Sequence, residues 1–207
     1  MLNIPYFQHR MTVFAEESLK SWLQTEVSIG RIDIGLLNRI IIDRLKVEDQ
    51  AGKTLADIPR FSASFDILPL LRGQISIRTV QLYGLKLHLY KSSPADSLNA
   101  AFLLEKFRSK EKKKEPSAID LRINSVLMRR GTVSYDVLSA PPAQENTFTP
   151  AHLAFRNVSA TVSLKHLTRD SLHLNIKRMG FSEKSGLTLS RLRLDLKANR
   201  RQADIEE

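Results

Sequence analysis

The feature that most constrains this chain is an apolar pattern written twice without a gap. Ile75, Ile77, Val80, Leu82, Leu87 and Leu89 reappear 46 residues on as Leu121, Ile123, Val126, Met128, Val133 and Tyr135. Alternation of apolar and polar residues gives an extended strand one apolar face. In both copies the alternation slips by one between the second and third positions, then slips back near a glycine, Gly84 or Gly131. A slip inside a strand is a bulge or bend that re-aims that face. A repeated strand-and-bend unit predicts an elongated β structure built by addition rather than a catalytic pocket. Gly84 and Gly131 are expected to mark bends that keep one aliphatic strip continuous.

A second register supports the repetition. Phe61, Ala63, Phe65, Ile67, Leu70, Ile75 and Ile77 map at a constant offset of 97 onto Val158, Ala160, Val162, Leu164, Leu167, Leu172 and Leu174, and Arg72 maps onto Arg169. Leu192, Leu194 and Leu196 read as the opening of a further copy. Arrays of this kind finish with an atypical capping unit. The polar, featureless stretch from Arg200 to Glu207 does not read as one, so the chain is expected to be a fragment of something longer.

Ile4 to Gln24 predicts an amphipathic helix, with Met11, Phe14, Leu19, Trp22 and Leu23 near one stripe and Pro5 at its start. Its polar face carries too few cations for a membrane-surface helix, so it is expected to cap the open end of a sheet core. From Val27 the pattern becomes β. Val27 and Ile29 alternate, the phase slips at Gly30-Arg31, and Ile32 and Ile34 resume. Strands follow at Ile40 to Val47, Phe61 to Ile67 and Gln74 to Tyr90, the last bent or broken at Tyr83-Gly84. The turns between them fall at Leu36-Leu37-Asn38, Asp49 to Lys53 and Pro69 to Gly73. Ser97 to Phe107 reads as a short helix and Arg108 to Ser117 as a charged surface loop. The second block begins at Ile119 to Val137, followed by a loop over Ser139 to Pro150. Strands then come at Ala154 to Leu164, Ser171 to Met179 and Leu187 to Leu196. The resulting division is a helix over 1–25, a first β repeat unit over 26–108, a charged linker over 109–118 and a second β unit over 119–207. The fold class is mainly β with two short helices, as an elongated, curved, groove-like antiparallel sheet.

At 207 residues, with 42% hydrophobic and 26% charged, the chain is an ordinary globular composition with enough length to bury a core. Its longest apolar runs are far short of the ~20 residues that span a bilayer, and Met1 to Arg10 has no signal-peptide character. The absence of cysteine removes disulfides, thiolate nucleophiles and cysteine-ligated metals. A net charge of +10 means either an anionic partner or simple solubility; much of the excess is placed in Lys106 to Lys114 and Arg191 to Arg201.

Catalytic signatures are absent: no glycine-rich phosphate loop, no His-Glu-x-x-His and no nucleophile elbow. The five histidines, His9, His88, His152, His166 and His173, share no metal-ligand spacing. Asp43 and Asp66 read as strand-edge or turn carboxylates. Aromatic residues make up 7% and sit in apolar phases, against the interleaving of aromatic and basic residues that nucleic-acid binding needs. An enzyme, a metal, a cofactor and a nucleic-acid partner are all unexpected.

Several segments come in a telling order. Val27-Ser-Ile-Gly-Arg-Ile-Asp-Ile-Gly leads to Arg39-Ile-Ile-Ile-Asp-Arg-Leu-Lys-Val-Glu-Asp-Gln-Ala-Gly-Lys-Thr-Leu. Phe65-Asp-Ile-Leu-Pro-Leu-Leu-Arg-Gly-Gln-Ile-Ser-Ile follows, then Val80-Gln-Leu-Tyr-Gly-Leu-Lys-Leu-His-Leu and Leu98-Asn-Ala-Ala-Phe-Leu-Leu. This order resembles the N-terminal region of AsmA-like and TamB-type (translocation and assembly module) envelope proteins, over about Pro5 to Phe107 and more loosely beyond. The resemblance implies an inner-membrane anchor followed by a periplasmic, taco-shaped β groove in the Gram-negative envelope. It implies phospholipid carried between inner and outer membrane, or help to outer-membrane barrel assembly with a barrel partner. By that resemblance, the family's transmembrane helix and the region that meets an outer-membrane partner are expected to lie outside this sequence.

The physics of the pattern agrees with a groove. A sheet apolar on one face must bury it against another layer, and two helices are few for so many strands. Such a sheet either curls on itself or leaves part of its face for a ligand. The candidate lipid-facing strip is Val27, Ile29, Ile32, Ile34, Ile75, Ile77, Val80, Leu82, Leu87, Leu89, Leu172 and Leu174. A scaffold whose strand edges template other β proteins is the alternative.

Overall fold

The computed structural model describes residues 4–35, 38–65, 77–103, 105, 124–144, 147–167, 171–199 and 203–206. Ile75, the turns at Leu36-Leu37 and Pro69 to Gly73, the linker over 109–118, the first residues of the second block and Arg169 lie outside them. The protein is mainly β: one curved sheet with a helix at its N-terminal end.

Helix α1 spans Ile4–Leu23. It ends where Gln24, with a φ of 56°, takes a left-handed conformation, its N–H bonded to the Lys20 carbonyl at 2.7 Å. Ala15, Leu19, Trp22 and Leu23 pack on the sheet core, as the amphipathic stripe predicts. Phe14 departs from that stripe and is 73% exposed.

Ten strands follow. They are β1 (Val27–Gly35), β2 (Arg39–Glu48), β3 (Thr54–Phe65), β4 (Ile77–Tyr83), β5 (Lys86–Lys91), β6 (Ser125–Val137), β7 (His152–Leu167), β8 (Ser171–Glu183), β9 (Thr188–Asn199) and β10 (Ala203–Glu206). Their order is the chain order, except that β4 and β5 lie end to end between β3 and β6. The long Gln74 to Tyr90 segment is therefore broken at Gly84 without reversing into a hairpin.

The expected antiparallel sheet needs one change. β4 and β5 run parallel to β6, with Val80 beside Val126, Leu82 beside Met128, Leu87 beside Val133 and Leu89 beside Tyr135. Every pair in this seam is 46 residues apart, so the two copies of the repeat are in-register neighbours. Parallel pairing requires a crossover; residues 92–124, including helical residues 101–103 and 105, supply it. The other pairs are antiparallel.

Two elements were not legible in the pattern. β3 begins at Thr54, well before Phe61, and runs through Pro59. Proline reads as a strand breaker, but here it sits at a ladder irregularity where its missing N–H costs nothing. β10 occupies part of the polar C-terminal stretch and pairs Ile205 with Leu196.

Candidate functional site

Eight positions across the sheet, one in each of β1 to β3 and β6 to β9 and one between β4 and β5, carry the same internal event. In β1 the apolar phase runs Val27, Ile29, then skips two residues to Ile32; in β2 it runs Ile40, Ile42, then Leu45. The same three-residue step joins Ile58 to Phe61, Leu82 to Leu85, Met128 to Gly131, Phe155 to Val158, Ile176 to Met179 and Leu189 to Leu192. Between β1 and β4 the skipped pairs are Gly30-Arg31, Asp43-Arg44, Pro59-Arg60 and Tyr83-Gly84. From β6 to β9 they are Arg129-Arg130, Arg156-Asn157, Lys177-Arg178 and Ser190-Arg191.

These steps line up from β1 to β6 and again at β9, whereas the β7 step lies opposite Thr132 and the β8 step opposite Thr161, two residues to either side. The ladder skips Gly30 opposite Arg44 and Arg44 opposite Pro59, and shifts register around Gly131, Arg156 and Met179. Backbone geometry changes at the same places: φ is 58° at Arg44, 68° at Gly84 and 53° at both Arg130 and Asn157. A Cβ on Gly84 would lie 3.3 Å from the Pro59 ring, and one on Gly180 3.1 Å from two carbonyl oxygens of β9. The sheet is thus creased along one transverse band, which is staggered at β7 and β8. Gly84 and Gly131, expected as bends, lie on it.

The crease has two faces. Ile29, Leu45, Ile58, Leu85, Gly131 and Val158 border it on the apolar side and are all buried. The skipped residues face the other way and are exposed, apart from the half-buried Asp43 and Gly84. The apolar residues beside the crease and the skipped residues are thus on opposite faces of the sheet.

Two apolar rows run across that face beside the crease. Ile32, Ile42, Phe61, Leu82, Met128, Ala160, Met179 and Leu192 are cross-strand neighbours in sequence. The next row is Ile34, Ile40, Ala63, Val80, Val126, Val162, Ile176 and Leu194. Ile32, Ile42, Ala63 and Val80 are buried, whereas every residue of the two rows from β6 to β9 is half-buried. α1 packs on β1, Leu103 packs on the core cluster, and among the described residues no named element is stacked over β6 to β9.

The expected strip distributes over this face. Val27 and Ile29 are core residues under α1, Ile32 and Val80 are buried, and Ile77, Leu82, Leu87, Leu89 and Leu174 are half-buried. Ile34 is 60% exposed at the edge strand. Leu172 lies in β8 opposite Ala198. The sequence strip left out β2, β3, β6, β7 and β9, whose rows are equally apolar; the three-residue step in each would have found them.

Polar clusters sit at the ends of the strands. The Asp49 carboxylate accepts the N–H groups of Ala51 and Lys53, each at 2.9 Å, and the Asn99 amide at 3.2 Å. Burial pushes this carboxyl up, but Lys53, the Tyr90 hydroxyl, Asn99 and Ala51 outweigh it and hold it below its usual value. Asn99 also accepts the Tyr90 N–H, so one amide ties the β2–β3 turn to β5. Asp136 holds His152 at 2.8 Å and His88 at 3.4 Å. The bond to Asp136 raises the His152 value, against burial and with help from the Pro141 carbonyl. Glu183 accepts the Ser185 hydroxyl and N–H and the Ala154 N–H, which together hold it down to about 2. These contacts pin turns. Among the described residues no group of His, Asp or Glu is arranged to hold a metal, and no helix is long and apolar enough to cross a membrane. In comparison with known proteins, the sequence matches no family model and no curated protein.

Proposed function

We propose that this chain is a lipid-handling β-groove segment of a Gram-negative envelope protein, periplasmic and held at the inner membrane in the full-length protein. Its apolar face holds phospholipid acyl chains on their way between inner and outer membrane. One observation carries the reading: two apolar rows, eight strands wide, run across one face of the sheet and are half-buried from β6 onward. Each methylene of an acyl chain gains ~0.8 kcal/mol on leaving water, so an aliphatic strip holds a lipid tail without specific polar contacts. The resemblance to AsmA-like and TamB-type proteins points the same way.

The test is lipid extraction and mass spectrometry of the purified chain, with phospholipid expected. Val126→Asp with Val162→Asp should cut the bound lipid several-fold. Ser125→Asp with Ser163→Asp, one residue away on the opposite face, should leave it unchanged. Protein that carries no phospholipid and moves none between liposomes would sink the proposal. The sheet's terminal strands β1 and β10 favour a second reading, an assembly scaffold that adds strands from outer-membrane barrel proteins. Crosslinks from those edges to nascent barrel proteins, without lipid transfer, would select it.

A further inference from the structure

The other face of the crease has a chemistry of its own. Its sixteen skipped residues hold nine of the chain's 32 Lys and Arg, against a single carboxylate, Asp43. Arg31, Arg44 and Arg60 carry it across β1 to β3, and Arg129 and Arg130 across β6. Arg156, Lys177, Arg178 and Arg191 continue it to β9. All nine are exposed. Arg31 pairs with Asp33 at 2.9 Å, and among the described residues no ion pair engages the other eight. Strands lie ~4.8 Å apart, so these positions make a cationic band about 34 Å across the sheet, staggered at β7 and β8 and without a cation at Tyr83-Gly84.

Two further observations say that this is more than solubility. Arg44 and Arg130 occupy left-handed backbone, at φ of 58° and 53°, which costs an arginine roughly 1–2 kcal/mol and a glycine nothing. Charge is thus kept where another residue would fold better. The neighbouring row on one flank adds Lys46 and Lys86, with Asp57 between them, widening the band into a field.

We propose that this basic face docks the protein on an anionic lipid bilayer. A bilayer surface needs no pocket and no shape match, and the face offers neither; it offers charge over a wide area, which anionic headgroups answer additively. Nucleic acid fits less well: Tyr83 is the one aromatic among the skipped residues, so there is no platform for successive bases to stack on. The inference rests on charge alone and stands apart from lipid cargo on the opposite face.

The test is sedimentation of the full chain with phosphatidylcholine vesicles, with and without phosphatidylglycerol. Binding should require phosphatidylglycerol at about 0.1 M salt and vanish near 1 M, where the screening length falls to ~3 Å. Arg60→Gln, Arg129→Gln and Arg130→Gln together should lower binding about 100-fold. A second triple, Arg156→Gln, Lys177→Gln and Arg191→Gln, guards against a folding defect in the first and should act alike, with circular dichroism unchanged. Lys112→Gln, Lys113→Gln and Lys114→Gln remove equal charge from the linker and should cost less than twofold. Equal loss from all three triples, no dependence on phosphatidylglycerol, or tighter binding to a single-stranded oligonucleotide than to vesicles would each overturn the proposal. Lipid content by mass spectrometry should be the same in all variants, which separates this result from the groove reading.

Discussion

At the scale of single residues, the crease is a set of backbone choices whose energies have opposite signs. Gly84 sits at a φ of 68° with Pro59 beside its missing Cβ. Gly84→Ala should destabilise the protein by about 1–2 kcal/mol, the usual cost of a left-handed L-residue. Arg130 already bears that cost. Arg130→Gly should therefore stabilise by about 0.5–1 kcal/mol, after glycine's larger chain entropy is subtracted. Urea midpoints with unchanged slopes measure both; a destabilised Arg130→Gly would refute the strain argument. Gly30, Gly84 and Gly131 were visible in the sequence as phase slips, because a glycine beside a broken alternation has few other meanings. Arg44, Pro59 and Asn157 make the same step and were not visible, since none is a residue that ordinarily announces a bend. Asn99 was hidden for a different reason. It looked like part of a helix start, but its amide is spent on Asp49, Tyr90 and the His88 carbonyl, contacts up to 50 residues away.

At the scale of elements, strand identity followed from alternation and strand ends did not. β2 and the turn after it lie where the pattern puts them, because the apolar phase of Ile40, Ile42, Leu45 and Val47 ends at the turn-rich cluster Asp49 to Lys53. β8 runs four residues past Met179. Its extension is fixed by the β8–β9 turn, where Glu183 N–H bonds the Leu187 carbonyl at 2.7 Å and the Glu183 carboxylate gathers Ser185 and Ala154. That carboxylate gives a pH signature. Its value is lower in the folded state, about 2 against 4.5 for the free side chain. The unfolded chain therefore takes up the proton first, and the stabilisation is present above pH 4.5 and lost as pH falls toward 2. Glu183→Gln should flatten that acid limb and cost about 2 kcal/mol at neutral pH, from lost charged hydrogen bonds. Stability curves over that window check it; an unchanged acid limb would show that the carboxylate is not the group responsible.

At the scale of the whole molecule, the charge and the repeat both mean something different from what the sequence alone says. The excess charge reads as belonging to a linker and a terminus, because a run such as Glu111-Lys-Lys-Lys-Glu is conspicuous and single arginines in strands are not. Folding brings those scattered arginines into one band across the sheet. The repeat was legible as two copies, but sequence spacing cannot say whether copies pair antiparallel, pair parallel or never meet. Here they pair parallel, and that has a consequence for how the chain assembles. β1 to β4 and β6 to β10 are each a run of strands joined to their sequence neighbours, so each meander closes short loops. The seam between them closes a loop of about 46 residues, costing about 2 kcal/mol more entropy than a short hairpin turn. Topologies that pay such a cost late fold slowly, through docking of parts already formed. The amides of Gly84 and Thr132, which bond directly across the seam to Arg129 and Leu85, should exchange hydrogen faster than those of the antiparallel ladders on either side. Uniform protection across the sheet would mean that the two meanders form and open as one.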